Sequence, residues 1–189
     1  MKVLALIGSP RKGGNSDILA HKVLLGAKES GANIDKIYLD DYHIRPIGEV
    51  CDNSRKREDL RDDDDFIKIL DKFLNSQIII FSTPVYWQGV SAQLKCFIDR
   101  LSSYFKKPPY AERFDNKGYI ILCAFGRKEK KHGRWVTKPM KLSVEVLRGI
   151  YLGDLCVSSC YEKGIISEKE KILKKAYNLG KKSVIKMRQ

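Results

Sequence analysis

The chain has 189 residues, a formal net charge of +13, 43% hydrophobic residues and 31% charged residues. These values indicate a single globular domain with a sizeable core, and they exclude an intrinsically disordered chain. No apolar run approaches the roughly 20 residues that a membrane helix needs. The apolar start of the chain is too short for a signal peptide and lacks a cleavage site. We therefore expect a cytoplasmic protein that makes no use of a membrane.

Five cysteines stand at positions 51, 96, 123, 156 and 160, several of them in apolar stretches. An odd and scattered set of this kind indicates reduced thiols packed in the core and no disulfide framework. Cys156 and Cys160 fall on one face of a predicted strand. That spacing suits a shared tetrahedral metal poorly, so core packing is the favoured role.

The positive charge is concentrated in residues 127–141 and in the last predicted helix. Such a surface attracts nucleic acids or small anions. No nucleic-acid motif accompanies it, and no basic stripe alternates with exposed aromatic residues. A solvated basic surface is therefore the favoured interpretation, with a nucleic-acid-binding domain as the weaker alternative.

The segment Val3–Ser16, VLALIGSPRKGGNS, predicts a buried strand, a tight loop and the start of a helix. The strand is apolar without alternation, as in a sheet that is covered on both faces. Gly8 and Pro10 end it, and Asn15 or Ser16 is a suitable helix N-cap. Free amides at a helix N-terminus, together with hydroxyl groups and two cations, form an anion site.

This loop follows neither of two common nucleotide-binding patterns. Gly14 and Asn15 stand where a P-loop requires Lys and Ser or Thr, and Ser9 and Pro10 interrupt a G-x-G-x-x-G pattern. The hydroxyl-rich loop that remains suits a terminal phosphate monoester, such as that of FMN. An ordinary strand-to-helix turn with solvated basic residues is the alternative. The side chains expected at the phosphate are Ser9, Arg11, Lys12, Asn15 and Ser16.

A first helix ending near Gly31 and a second strand at Ile34–Leu39 follow. The polar connection 40–61 is long enough to be a functional loop or an insertion arm. The acidic run Asp62–Asp65 precedes a helical pattern. We interpret it as a helix N-terminus, where carboxylates are favoured. A metal site is the weaker alternative because no His or Glu completes a ligand set.

Buried strands are further predicted at 78–81, 119–125 and 153–160, each followed by a helix. We expect a basic loop at Arg127–Lys138, a helix that begins near Pro139, and a last helix that opens with a capping box at Ser167–Glu170. Strand and helix alternate five times without an internal repeat. The sequence therefore predicts one doubly wound α/β domain over residues 1–189, a three-layer sandwich around a five-stranded parallel sheet.

Two aromatic residues, Tyr86 and Trp87, follow the third predicted strand. In doubly wound folds, ligands bind at the carboxyl ends of the strands. Aromatic rings there favour a flat apolar partner such as an isoalloxazine ring. Rings that fold back onto the core are the alternative.

The sequences GSPRKGGNS and TPVYWQGVSAQLKCFIDR together resemble the flavodoxin-like NAD(P)H-dependent FMN reductase family. The branch that is most similar contains iron–sulfur flavoproteins and related quinone or azo reductases. The resemblance runs from Met1 to about Leu122 and implies a flavodoxin-like fold with FMN as cofactor. It implies that the first loop holds the phosphate and that Asp99-Arg100 is a structural pair. It implies flavin-ring contacts from Pro84, Val85, Tyr86, Trp87, Ala124, Phe125 and Gly126.

The resemblance implies an oxidoreductase with NAD(P)H as co-substrate, in which electrons pass through FMN to a small-molecule or protein acceptor. Because the cofactor carries the reaction, we name no catalytic residue. The basic segment Arg127–Lys138 is expected to contact phosphates of the nicotinamide nucleotide. A flavodoxin-like electron carrier that NAD(P)H does not reduce directly is the alternative. Such carriers are usually acidic, so the charge of +13 favours the reductase.

The resemblance also implies a homodimer or homotetramer. Iron–sulfur members carry a compact cysteine cluster, whereas the matching region 44–65 of this chain contains only Cys51. A cubane cluster needs about four ligands, so we expect neither an iron–sulfur cluster nor another metal. The third flavin loop departs from its usual glycine-rich form at Arg127-Lys128-Glu129.

Overall fold

The computed structural model describes residues 1–47 and 64–189. The strands are β1 (Lys2–Ile7), β2 (Asn33–Tyr38), β3 (Ile78–Pro84), β4 (Gly118–Ala124) and β5 (Ile150–Val157). The helices are α1 (Asn15–Glu29), α2 (Phe66–Leu74), α3 (Ala92–Leu101), α4 (Lys131–Val146) and α5 (Glu170–Lys186). None of the helices in these residues is long and apolar enough to span a bilayer.

All strand pairs are parallel, and the strand order is β2-β1-β3-β4-β5. This is the flavodoxin-like form of the doubly wound fold, and it confirms the predicted fold class. In β1, Leu4 and Leu6 belong to the core layer of α2, α3 and α4. Val3, Ala5 and Ile7 belong to the layer of α1 and α5. Because both faces are covered, the strands need continuous apolar runs.

Helices α1 and α5 pack backbone to backbone through two glycines. A Cβ atom on Gly26 would lie 1.9 Å from the Tyr177 carbonyl oxygen, and one on Gly180 would lie 2.0 Å from that of Val23. Any larger residue would therefore force the helices apart. This close packing holds the chain around the start of α5 beside the start of α1.

The side chain of Arg100 is completely buried between α3 and the start of α2. Its Nη1 atom donates to Asp64 Oδ2 at 2.6 Å, and its guanidinium carbon lies 4.6 Å from the centre of the Phe66 ring. Asp64 Oδ1 accepts the backbone N–H of Phe66 in the first turn of α2. Asp64 and Asp65 thus stand at a helix N-terminus, as predicted for the acidic run, and Asp62 and Asp63 lie outside the described residues. Arg100 therefore has a structural role, as the family resemblance implied for the pair Asp99-Arg100.

Several predicted boundaries were wrong. Helix α4 begins at Lys131, so most of the predicted basic loop is helical and Pro139 lies inside the helix. Lysine and arginine are good helix formers, so the basic segment favours a helix, and Pro139 does not mark the helix start as predicted. Helix α5 begins at Glu170 after a short 3₁₀ turn, so Ser167 does not cap it. Strand β5 ends at Val157 rather than at Cys160.

Cys123 and Cys156 form a disulfide between paired positions of β4 and β5. The prediction that all the cysteines are reduced was therefore wrong. Adjacent strands bring the two Cα atoms to 4.6 Å, within the range that a disulfide spans. Cys96 and Cys160 are free thiols. Cys51 and residues 48–61 of the predicted arm lie outside the described residues.

Candidate functional site

A cavity of about 300 Å³ opens at the carboxyl ends of the strands. Ten of the twelve residues predicted to bind the cofactor line it, and Lys12 and Trp87 do not. The ten are Ser9, Arg11, Asn15, Ser16, Pro84, Val85, Tyr86, Ala124, Phe125 and Gly126. Four further lining residues were not predicted from the sequence: Gly14, Cys160, Tyr161 and Lys163. Arg127 also lines the cavity; it was predicted to contact the nicotinamide nucleotide and not the cofactor.

The loop between β1 and α1 is held in shape by the carboxylate of Asp17. Its Oδ2 atom accepts the Gly13 backbone N–H at 2.8 Å and the Tyr38 hydroxyl at 2.9 Å. Its Oδ1 atom accepts Lys36 Nζ at 2.9 Å. Gly13 has a φ of +72°, a conformation that glycine adopts readily. The carboxylate therefore fixes the loop against the first turn of its own helix.

The environment of Asp17 favours the ionised form. Burial alone would raise the pKa of this carboxyl. The hydrogen bonds from Lys36, Gly13 and Tyr38 outweigh burial and hold the pKa below its ordinary value. Lys36 also compensates the negative charge of Asp17 close to a site that is built for an anion.

The first turn of α1 offers free donors to a ligand. Within residues 1–47 and 64–189, the backbone N–H groups of Asn15, Ser16 and Asp17 have no hydrogen-bond acceptor. Ser9 and Ser16 are nearly fully buried beside them. Open amides at a helix N-terminus with adjacent hydroxyl groups and an arginine form a donor set that fits a phosphate group.

The two lysines near this loop differ in their surroundings. Lys12 Nζ lies 2.7 Å from Asp41 Oδ1 and 5.1 Å from the centre of the Tyr38 ring, away from the cavity. Lys163 lines the cavity, and its Cε atom lies 3.8 Å from the position that a Cβ atom on Gly13 would take. Lys163 therefore stands at the loop where Lys12 was predicted.

The side chain of Asn15 joins α1 to the segment after β5. Its Nδ2 atom donates to the carbonyl oxygens of Cys160 at 3.3 Å and Glu162 at 2.7 Å. Its Oδ1 atom accepts the backbone N–H of Ile166 at 3.1 Å. This side chain thus holds the segment at the cavity, and its donors are engaged by protein groups.

Tyr86 and Gly89 close a tight turn at the end of β3 through two backbone hydrogen bonds of 3.0 and 2.9 Å. The central residues Trp87 and Gln88 have φ angles of +48° and +65°, as a type I′ turn requires. The turn directs Tyr86 to the cavity and leaves Trp87 fully exposed. The His132 ring contacts Gln88 Oε1 at 3.1 Å and links the turn to α4.

Phe125 and Gly126 form the opposite wall of the cavity together with Tyr161. A Cβ atom on Gly126 would lie 2.8 Å from Tyr161 Cδ2, so the tyrosine ring packs on the glycine backbone. The same ring is 85% exposed. Apolar rings from two loops therefore flank the opening, which suits a flat ligand.

Comparison with known proteins identifies the family. Residues 1–162 match the model of NADPH-dependent FMN reductases. The chain belongs to this family. FMN is therefore its cofactor and NAD(P)H its co-substrate, and both predictions from the sequence are confirmed. The chemistry that bound FMN would supply is the acceptance of a hydride from the reduced nicotinamide and the onward transfer of electrons.

Individual relatives agree with this assignment. Over 136 residues the chain is 37% identical to YwqN of Bacillus subtilis, named as an NAD(P)H-dependent FMN-containing oxidoreductase; the match covers 70% of this chain and 71% of YwqN. Over 134 residues it is 30% identical to an iron–sulfur flavoprotein of Archaeoglobus fulgidus, covering 70% and 60% of the two chains. The solved Trp repressor binding protein of Bacillus subtilis shares the fold, with a TM-score of 0.70, 24% identity and coverage of 95% and 98%.

The donor set of the cavity fits FMN. Open amides and hydroxyl groups at α1 suit its phosphate, and the aromatic walls suit its ring. The part of the chain that the structure describes contains no group of three or more His, Cys, Asp or Glu side chains placed to hold a metal.

We predict that Asp17→Asn lowers the free energy of unfolding at neutral pH by about 1–3 kcal/mol, because it weakens three buried hydrogen bonds. The depressed pKa of Asp17 provides stability above the unfolded-state pKa, and this stability is lost as the pH falls through the folded-state pKa. The difference from wild type should therefore shrink below about pH 4. Urea unfolding across pH measures it, with Asp41→Asn in an exposed ion pair as the control. A difference that stays constant at all pH values would contradict this role of Asp17.

We predict different effects for two neighbouring aromatic residues. Tyr86→Ala should weaken FMN binding by roughly tenfold because it removes a ring from the cavity wall. Trp87→Ala should leave the affinity within about twofold, because an exposed ring that makes no cavity contact contributes little. Quenching of flavin fluorescence measures both dissociation constants. A larger loss of FMN affinity for Trp87→Ala than for Tyr86→Ala would show that the flavin contacts Trp87 rather than Tyr86.

Proposed function

We propose that the cavity is the FMN site of an NAD(P)H oxidoreductase, with the cofactor phosphate at the start of α1. The observation that carries this proposal is the junction, within one cavity, of open helix amides and apolar rings. Ser9, Ser16 and Arg11 bind the phosphate. Lys12 and Trp87 have no direct contact with the cofactor in this proposal, because they do not line the cavity.

The flavin ring lies between the β3 turn and the third loop. Val85 and Tyr86 contact it from one side, and residues 124–126 contact it from the other. Tyr86 is about half exposed, so a ligand at the mouth can reach the same space. The protein thereby supplies an anchor, a ring pocket and an open side for the nucleotide and for the acceptor, which is a small molecule or another protein.

Anaerobic mixing with NADPH and with NADH tests this function. The protein is saturated with FMN, and its absorbance near 450 nm, which is typical of oxidised flavin, is followed by stopped flow. We expect the band to bleach rapidly with at least one nucleotide. Bound flavin that stays oxidised with both nucleotides would favour the carrier, and failure to bind FMN would refute the site itself.

The start of α4 is the surface that we propose for the phosphates of the nicotinamide nucleotide. Arg127 lines the cavity, and Lys130, Lys131 and Arg134 are exposed just beyond it. The contact between His132 and Gln88 ties this helix to the β3 turn. A dense set of cations beside the cofactor cavity attracts an anionic substrate, and salt screens this attraction.

We predict that changing Lys130, Lys131 and Arg134 together to Glu raises the KM for NADPH at low ionic strength and leaves FMN affinity unchanged. The control changes Lys174, Lys175 and Lys182 on α5 to Glu, because it alters the net charge equally at another surface. An equal rise in KM for both triple variants would indicate a general charge effect and would contradict a local contact.

We propose that the protein assembles as a homodimer or homotetramer through α3 and α4. Leu142 and Val146 are each 61% exposed, beside an apolar groove lined by Ile98, Phe105 and Leu147. Exposed apolar surface of this kind is typical of an interface.

We predict that Leu142→Glu with Val146→Glu lowers the molar mass of the protein, measured by light scattering, to that of a monomer. Ile185→Glu, at an exposed apolar residue of α5, should not. A wild-type chain that is already monomeric would contradict the proposal.

We also propose a cytoplasmic location. The co-substrate NAD(P)H is an intracellular reductant, and Cys96 and Cys160 are free thiols. In the disulfide, Cys123 is fully buried and Cys156 is partly buried.

A further inference from the structure

We propose that the segment Cys160–Lys163 is an additional part of the cofactor site and that Lys163 makes the protein select FMN over flavins that lack a phosphate. This inference rests on the proposed FMN site. It assigns a second cation of the phosphate site, in addition to Arg11, to a residue far from the β1–α1 loop in the sequence.

The first step is the position of Lys163. It lines the same cavity as Ser9, Ser16 and Arg11. Its Cε atom lies next to Gly13, the residue at which the loop turns. The ammonium group is one bond from this Cε atom, so Lys163 carries a positive charge at the turn of the β1–α1 loop, in the cavity that the start of α1 also lines.

The second step is that Lys163 is available to a ligand. No carboxylate in residues 1–47 and 64–189 forms an ion pair with it, although Glu162 is its neighbour in sequence. By contrast, Lys12 is paired with Asp41 at 2.7 Å. A lysine ammonium is a compact, flexible point charge, which suits a terminal phosphate.

The third step is how Lys163 is held there. Asn15 makes its three side-chain hydrogen bonds to the backbone of Cys160, Glu162 and Ile166. Both amide hydrogens of Asn15 are used in this way, so its side chain has no N–H left for the phosphate. Asn15 is therefore a positioning residue that acts on the phosphate through the segment and Lys163.

The test compares the dissociation constants of FMN and riboflavin, which share the ring and differ in the phosphate. For each variant the measured quantity is the ratio of the riboflavin constant to the FMN constant, from fluorescence quenching. Lys163→Gln should lower this ratio roughly tenfold, the loss expected for one charge-assisted hydrogen bond, with riboflavin affinity unchanged. The control Lys182→Gln changes the net charge equally near the other end of α5 and should leave the ratio unchanged.

A double-mutant cycle tests the role of Asn15. Asn15→Ala should lower the ratio about as much as Lys163→Gln does, and the double variant should show no further loss. Because both flavins occupy the same pocket, the ratio cancels a general loss of ring binding. Independent, multiplicative losses in the double variant would mean that Asn15 contributes to phosphate binding without Lys163 and would overturn this step.

The outcomes separate the two proposals. If the wild-type chain binds neither flavin, the proposed FMN site fails. If it binds FMN more tightly than riboflavin and Lys163→Gln keeps the wild-type ratio, the FMN site stands and the role of Lys163 is refuted. Since Lys163 is exposed, thermal unfolding of this variant should match wild type, so a folding defect does not obscure the result.

Discussion

The proposed cofactor site depends on the three hydrogen bonds that Asp17 accepts. A carboxylate at the first turn of a helix would normally compete with an anionic ligand for the free amides and for the positive end of the helix dipole. Here Asp17 takes the N–H of Gly13 and is compensated by Lys36 and Tyr38. The amides of the next residues along the chain remain for a ligand. One buried acid therefore shapes the β1–α1 loop and leaves the amides of the following residues open.

The parallel sheet then determines which segments meet at this loop. Gly8 donates its backbone N–H to the carbonyl oxygen of Ser82, so the ends of β1 and β3 are joined directly. The ends of β4 and β5 are likewise joined where Phe125 donates to Val157. Because all carboxyl ends lie at one edge, loops that are far apart in sequence form one cavity. Function is thus concentrated in the loops, while the strands serve packing.

Local patterns were enough to predict the fold and most of the cavity. The apolar run Val3–Ile7 and its counterparts reveal buried parallel strands, because such strands need no alternation. The same logic places the loops after β1, β3 and β4 at the cavity. The direction in which a side chain points within its loop was not predictable from the sequence. Lys12 and Trp87 stand in the right loops, but the pairing of Lys12 with Asp41 and the left-handed turn at Trp87 direct them elsewhere.

Long-range contacts were beyond the reach of sequence patterns. Lys163 and Tyr161 reach the cavity only because β5 ends at Val157 and Asn15 binds a segment about 145 residues away in sequence. The Cys123–Cys156 disulfide has the same origin, since the register between β4 and β5 sets the pairing. Spacing within one element carries no information about such partners. The family resemblance did not extend to this part of the chain.

The central claim is that the phosphate of FMN binds at the open amides of α1. The most direct measurement is the ³¹P NMR resonance of FMN in the complex as the pH is changed. A phosphate held by amides, hydroxyl groups and cations stays a dianion, so its resonance should be shifted from that of free FMN and should not titrate near its ordinary second pKa of about 6. A resonance that titrates like free FMN while the flavin is bound would show that the phosphate lies in solvent. The assignment of this site would then be wrong.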